Sequence, residues 1–286
     1  MKILLTGKNG QVGWELQRTL APLGKIIAVD RQTLDLSNPD SIRAVIREVK
    51  PSLIVNPAAY TAVDKAESEP ELAMAINGTA PGIMAEEAKL LGAAMVHYST
   101  DYVFDGSNAT PYTEEDAPNP INVYGKTKLA GEDAIRASGV PHLILRTSWV
   151  YGMRGKNFLL TIQRLAKERD ELKIVADQIG APTWSRMVAE ASAQILAQRG
   201  ADLGDISGLY HLTAAGQTSW HGFTQAIIEH SRSGEQALPR LVPISTAEYP
   251  LPAPRPLFSL LSNNKLFKTF GIELPSWADS LALCVA

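Results

Sequence analysis

The feature that most constrains the fold is an alternation running through the first half of the chain. Residues 2–6, 25–30, 53–56, 94–99 and 142–147 are short, mostly apolar runs. Between them, residues 12–20, 41–49, 71–91 and 123–137 carry apolar side chains at helical spacing. A strand that is apolar on both sides of its pleat must be covered on both faces, which is the signature of a parallel sheet flanked by helices. Crossovers between parallel strands are right-handed, so a doubly wound α/β sheet of Rossmann-like type is the economical arrangement. Beyond Val150 the pattern changes. Residues 157–170 and 185–198 read as helices, and residues 209–212 as one more strand of the same sheet. Prolines crowd residues 238–256, and Tyr249-Pro250-Leu251-Pro252-Ala253-Pro254-Arg255-Pro256 can form neither a helix nor a central strand.

Where the first strand turns into the first helix stands Gly7-Lys8-Asn9-Gly10-Gln11-Val12-Gly13. Glycines here allow a tight turn and close approach of backbone to a pyrophosphate, while the helix N-terminus offers free N–H groups. Asp30 ends the next strand, near the offset of about 20 residues expected for a carboxylate that binds an adenosine ribose. That favours NADH. Arg31 follows and suits a ribose 2′-phosphate, which favours NADPH, so either cofactor is expected to serve. Asp35 and Leu36 are candidates for the adenine, although an Asp before Ser37-Asn38-Pro39 also suits a turn or cap. The expected organisation is a dinucleotide-binding domain over residues 1–150, rejoined by the strand near 209–212. Residues 151–286 form mainly a smaller, interleaved substrate domain.

Tyr124 and Lys128 lie four apart at the start of an expected helix, so phenol and ammonium share a face. A cation beside the phenol is expected to lower its pKa and fit it for proton exchange with an alcohol oxygen. Thr100, in His97-Tyr98-Ser99-Thr100-Asp101, falls at the carboxyl end of the fourth strand, where open α/β sheets bind their ligands.

The glycine loop, the strand-end hydroxyl and Y-x-x-x-K, in this order, resemble the short-chain dehydrogenase/reductase superfamily, extended type. Ser99-Thr100-Asp101-Tyr102-Val103-Phe104-Asp105-Gly106 and Asn122-Val123-Tyr124-Gly125-Lys126-Thr127-Lys128 resemble, within it, the dTDP-4-dehydrorhamnose reductase family. So do Val63-Asp64-Lys65-Ala66-Glu67, Arg146-Thr147-Ser148-Trp149-Val150-Tyr151 and Gly180-Ala181-Pro182-Thr183. The resemblance implies reduction of a C4 ketone on dTDP-4-dehydro-L-rhamnose, giving the dTDP-L-rhamnose used for cell-surface polysaccharide. It gives Tyr124 the role of proton donor, Lys128 that of ribose ligand and tuner of Tyr124, and Thr100 that of carbonyl polariser. By the same pattern Gly10, Gln11 and Val12 contact cofactor phosphates, while Ala59, Tyr60, Thr61 and Tyr98 line the cofactor path. Trp149, Thr100 and Asp101 touch the sugar. Arg255 is a separate candidate for the diphosphate, on charge and position.

Dehydratases of this superfamily follow the hydroxyl with Asp-Glu, whereas here Tyr102 follows Asp101, which argues against elimination. Epimerases reuse the same Tyr and Lys. Regulatory subunits of this fold bind the nucleotide without turnover. Both stand as alternatives.

With 286 residues, 45% hydrophobic and a net charge of −3, the chain has neither the basic footprint of a nucleic-acid binder nor a polybasic membrane anchor. No run of about 18 apolar residues spans a membrane, and the apolar start is too short for a signal peptide, so a cytoplasmic protein is expected. One cysteine, Cys284, rules out an internal disulfide. Some relatives are dimers with Mg²⁺ at the interface. Glu15 stands at a fitting position, but Arg186 replaces an acidic ligand, so a homodimer is allowed and no metal is predicted. His97, His142, His211, His221 and His230 show no ligand spacing and are read as packing or surface residues. Trp220-His221 reads as a helix-start packing pair. The charges between Asp64 and Glu71 read as a solvated helix face.

Overall fold

A computed structural model describes residues 1–231 and 238–286. The first half runs β1 (Lys2–Leu5), α1 (Gln11–Thr19), β2 (Lys25–Ala28), α2 (Pro39–Val49), β3 (Leu53–Asn56), α3 (Val63–Ala66), α4 (Pro70–Met74) and α5 (Ala80–Leu90). It continues with β4 (Ala94–Thr100), α6 (Val123–Ser138) and β5 (His142–Thr147). The second half adds β6 (Val150–Tyr151), α7 (Phe158–Glu168), β7 (Glu171–Val175), β8 (Ile179–Gly180), β9 (Thr183–Trp184), α8 (Ser185–Arg199) and β10 (Gly208–His211). Then come β11 (Thr218–Ser219), α9 (Trp220–His230), β12 (Arg240–Ile244), α10 (Asn264–Phe270) and α11 (Trp277–Val285).

Six strands form one sheet in the order β10-β5-β4-β3-β1-β2, every pairing parallel. The order reverses between β1 and β3, so the carboxyl ends of these two strands open the crevice where such sheets bind ligands. Strand residues alternate between two cores. On one face Ile3, Leu5, Val55, Val96, Tyr98 and Leu145 pack with Leu16 of α1 and Val188 of α8. On the other face Leu4, Ile54, Met95 and Ile144 meet Ile42 of α2 and Met84 of α5. Apolar strands covered on both sides are thus the direct product of the continuous hydrophobic runs. β10 docks beside β5, which brings residues 208–211 back to the main sheet as the sequence led us to expect.

Around a third core, Tyr151, Leu159, Ile162 and Phe223 join α7, α9 and α11. The pairing of β7 with β12 was not foreseen, and it joins segments 69 residues apart in register (Arg240 with Glu171). Pro243 is tolerated within β12 because that strand has one neighbour and an outer edge. The helical run expected over 71–91 is broken by a π-helical turn, Ala75–Thr79, which turns Asn77 inward to a buried position. No helix among the described residues is long and apolar enough to cross a membrane.

Candidate active site

The loop after β1 is shaped by two glycines. Gly7 has φ +61°, a left-handed conformation that other residues resist, and a Cβ there would press on Ala58 at the end of β3. A Cβ on Gly13 would overlap the Gly7 carbonyl oxygen, so α1 starts in direct contact with the turn. Gly10 caps α1 without any side-chain hydrogen bond, whereas Asn38, Asn122, Asn157, Ser219 and Ser276 cap α2, α6, α7, α9 and α11. The first N–H groups of α1 therefore have no side-chain acceptor of their own, and the cradle fits a pyrophosphate. Gln11 ties this helix end to the second half, donating to the Val150 carbonyl at 3.3 Å and accepting from Asn157 Nδ2 at 2.9 Å. Val12 is half-buried against the main core.

Asp30 is already engaged. Lys8 Nζ lies 3.0 Å from its Oδ2, and Oδ1 accepts from the Gln32 and Thr33 amides at 3.1 and 3.3 Å. The Lys8 hydrogen bond, chiefly, holds this carboxyl below the usual range. A ribose hydroxyl would thus compete with a lysine, and Lys8 with the exposed Arg31 sets two cations at this corner. Asp35 is a turn residue: its Oδ1 accepts from the Ser37 hydroxyl and amide at 2.7 and 3.0 Å, and Asn38 caps α2. Leu36 is half-buried against the core under α2.

Ala59, Tyr60 and Thr61 follow β3 on the same rim. Asn77 clamps this loop, accepting from the Tyr60 amide at 2.8 Å and donating to its carbonyl at 3.0 Å. The Tyr60 hydroxyl donates to Glu69 at 2.6 Å. Tyr98 departs from its expected place on the cofactor path. Alternation along β4 turns its ring into the core facing α8, where the hydroxyl donates to Ser192 at 2.7 Å. Only its backbone carbonyl faces α6, and it accepts from Lys128 Nζ at 2.6 Å.

Thr100 ends β4 and caps the following turn, its Oγ1 accepting from the Tyr102 amide and donating to Asp101 Oδ1, both at 3.1 Å. Tyr124 sits in the first turn of α6, fixed by the Asn122 cap, with its ring 5.8 Å from Tyr102 in an edge-on contact. The structure sets the Thr100 hydroxyl beside the Tyr124 phenol, near enough to bear on its pKa. The expected lowering of the Tyr124 pKa is not what the structure shows. Burial pushes the phenol up to about 12, the Thr100 hydroxyl opposes that, and the Asp101 charge adds to it. The physical reason is direction: Lys128 Nζ points at β4, to the Tyr98 carbonyl and to His97 Nε2 at 3.1 Å. Burial brings Lys128 down to about 8, with Glu132 acting the other way. Asp101 is buried among Thr100 and Ser259, and burial raises it to about 7.

A cleft of about 1210 Å³ has walls that include Asp64, Phe158, Lys173, Gln178, Trp220 and Arg255, while Thr100, Tyr124 and Lys128 do not line it. Tyr102 links the two, since its phenol feels the charges of Arg255, Asp64 and Tyr124 together. Trp149 stacks on Trp220 with ring centroids 3.6 Å apart, and Trp220 also lines the cleft. Trp149 has φ +46°, a strained conformation of the sort that concentrates at ligand sites. Gly180 leaves the space that its indole occupies. Arg255 lines the cleft, but its fork is held by Asp64 through two 2.9 Å hydrogen bonds. Asp64 is therefore an ion-pair partner and not part of a solvated face. Among the described residues no cluster of three metal-ligating side chains occurs.

Sequence reasoning missed Asn56, Asn77 and His97, all buried polar residues beside the site. Nothing local in the sequence announces the turn that buries Asn77.

The family model described as the RmlD substrate binding domain matches residues 1–286. A dTDP-4-dehydrorhamnose reductase of Burkholderia thailandensis is 52% identical over 100% of this chain and 98% of its own length. The crystal structure of a Clostridium acetobutylicum dTDP-4-dehydrorhamnose reductase matches with a TM-score of 0.93 at 39% identity, covering 100% of this chain and 98% of that one. That of a Bacillus anthracis dTDP-4-dehydrorhamnose reductase in complex with NADP matches at 0.92 and 36% identity, covering 99% and 98%. With a match along its whole length and relatives this similar, the chain belongs to the RmlD family, that of the dTDP-4-dehydrorhamnose reductases.

Proposed function

We propose that this protein reduces the C4 ketone of dTDP-4-dehydro-L-rhamnose to dTDP-L-rhamnose, with NADPH or NADH as reductant. The observation that carries the reading is the Thr100–Tyr124 pair beside Lys128, at the carboxyl edge of β4 and within reach of an uncapped glycine-loop helix. When bound, the reduced nicotinamide supplies the hydride.

The chain's own residues divide the remaining work. Gly7, Gly10 and Gly13 shape the phosphate cradle, with Gln11 and Val12 at its helical end. The Tyr124 phenol keeps its proton at neutral pH because burial raises it. That is the form a reductase needs at the outset, when it must give a proton to the oxygen that gains charge. Thr100 lies beside the phenol, and its hydroxyl, which donates to Asp101 in the free protein, is assigned to the same substrate oxygen. Lys128 sits one helical turn on, placed to bind the nicotinamide ribose and to stabilise the phenolate left after transfer. The cleft suits a ligand larger than a simple sugar, and its mix of Trp220, Phe158, Lys173 and Arg255 suits a nucleotide diphosphate. Trp149, Asp101 and Thr100 are assigned to the sugar. A cytoplasmic location would suit an enzyme whose substrate is an activated sugar nucleotide.

The test is the fall in absorbance of NADPH and NADH with dTDP-4-dehydro-L-rhamnose, and identification of the product. Consumption that depends on the sugar nucleotide and yields dTDP-L-rhamnose supports the reading. Cofactor binding without turnover favours the regulatory-subunit alternative. Tyr124→Phe should keep cofactor affinity within about twofold while removing most of kcat, since it deletes a proton and not a binding contact. Near-normal turnover in that variant would overturn the mechanism.

A further inference from the structure

Two periodicities meet behind the catalytic pair. On α6, Tyr124, Lys128 and Glu132 follow one another at four-residue intervals and share a face. On β4, His97 and Ser99 alternate onto the side that faces this helix. The two rows interlock: Lys128 Nζ lies 3.1 Å from His97 Nε2, and Ser99 donates to Glu132 at 2.5 Å. The row continues across the sheet. His97 is in register with Asn56 on β3, whose amide lies 3.1 Å from His97 Nδ1. Thr6, just past β1, donates to that same amide at 2.6 Å. Asn56 and His97 are 0% exposed and Lys128 is 1% exposed, so water does not substitute for any member.

We propose that His97 is a positioning residue for Lys128, a neutral imidazole whose Nε2 accepts from the ammonium while Asn56 fixes the tautomer from the far side. The proposal rests on the reading of Lys128 as the lysine that serves Tyr124 and the cofactor ribose. With the Tyr98 carbonyl and His97 each taking one proton of Nζ, a single N–H remains for a ligand. A ring with Nε2 as acceptor carries its proton on Nδ1, so the Asn56 amide, placed with Nδ2 toward the ring, turns over to present its oxygen to that proton. Rotation of the amide then lets Asn56 Nδ2 donate to Thr6. Burial and the Lys128 charge together keep His97 from taking a second proton. The network works in both directions: the ammonium holds the ring neutral, and the ring gives the buried ammonium an acceptor it could not find in an apolar pocket.

The groups that bear on this ammonium can be named element by element. α6 itself contributes Glu132, with Tyr124 one turn before Lys128 and Asp101 bearing on that phenol, and β4 contributes His97 and the Tyr98 carbonyl. β5 contributes Arg146, which is bound to Glu132, and Glu67, just past α3, accepts from the Val123 amide. The helical segments between α4 and α6 present Asn77 to α6, an uncharged group.

The first arm of the test needs no turnover. Nitrogen-15 NMR of histidine-labelled, ligand-free protein should show His97 neutral from about pH 5.5 to 8, protonated on Nδ1, with the Nε2 resonance moving on Lys128→Met. A ring that titrates near the ordinary histidine range, or that ignores Lys128→Met, overturns the proposal. The second arm is the pH profile of kcat. Removing the acceptor with His97→Phe disfavours the charged lysine, so the alkaline limb should move about one pH unit to lower pH, with weaker NADPH binding. His97→Gln, which returns an amide to roughly the same place, should restore most of that shift. An unmoved limb in His97→Phe, or equal loss in both variants, also overturns it. If the NMR result holds while no sugar nucleotide is turned over, the assigned reaction fails and the His97–Lys128 coupling stands.

Discussion

At the scale of a single residue, Lys8 stands at the corner that would meet the cofactor's adenosine ribose. Its ammonium occupies the carboxylate of Asp30 that would otherwise accept from a ribose and repel a 2′-phosphate. Lys8→Met should therefore leave a bare carboxylate facing the ribose, and the ratio of kcat/KM for NADPH over NADH should fall about tenfold. Dissociation constants for the two cofactors should move apart in the same sense, and Asp30→Asn should move them the other way. An unchanged ratio in Lys8→Met would remove this lysine from the recognition of that ribose. The sequence carried the conflict between Asp30 and Arg31 but not its outcome, because the Lys8 contact depends on how β1 and β2 bring two loops together. Thr100, Tyr124 and Lys128 were legible because their spacing alone sets them at a strand end and on one helix face. Tyr98, a candidate for the cofactor path, turns its ring into the core and leaves its carbonyl toward α6. Period-two alternation puts it opposite His97 and Ser99, and the Ser192 partner lies 94 residues away. His97 was set aside because metal-ligand spacing was the only role its neighbours could exclude.

At the scale of elements, α6 is fastened to the sheet by a buried ion pair. Glu132 accepts from Arg146 Nε at 2.9 Å and from Nη2 at 2.7 Å, with Glu132 0% and Arg146 1% exposed. Removing either partner leaves a buried charge without its counterion. Arg146→Met should cost about 3–5 kcal/mol in urea unfolding. Adding Glu132→Gln should return a large part of that loss, because the stranded charge goes with it. If the two losses simply add, the pair is not what anchors the helix. The elements of the main sheet were legible because each strand is buried on both faces and each helix on one. The small pairings of the second half were not. β7 reads locally as part of a charged run, and it becomes a strand only because β12 arrives in register from a distant part of the chain. Likewise, π-helical winding at Ala75–Thr79 follows from the fit of Asn77 between the Tyr60 loop and Thr127, which no local propensity encodes.

At the scale of the whole molecule, the question is how the two halves share one ligand. The proline-rich segment from Tyr249 to Pro256 forms a wall of the cleft and is tied back to the first half at three points. Asn122 donates to the Pro254 carbonyl at 2.9 Å, the Ala253 amide donates to Asp64 at 3.2 Å, and Arg255 pairs with Asp64. Burial works against the Asp64 charge, yet the Arg255 contacts hold its carboxyl below the ordinary range. The segment was legible as an irregular wall, since its prolines exclude helix and central strand, but its anchor was not, since Asp64 and Arg255 are 191 residues apart. The pair is partly exposed, so its own contribution to stability should be small, about 1 kcal/mol by double-mutant cycle. Its effect on binding should be larger and asymmetric. If Arg255 serves the diphosphate, a ligand phosphate must take over the fork that Asp64 now fills. Arg255→Gln should then weaken dTDP binding at least about tenfold, while Asp64→Asn leaves it within about twofold or tightens it. Calorimetric titration with dTDP separates the cases. Equal losses in the two variants would make Arg255 an anchor for the wall alone, and the diphosphate would need another cation in the cleft.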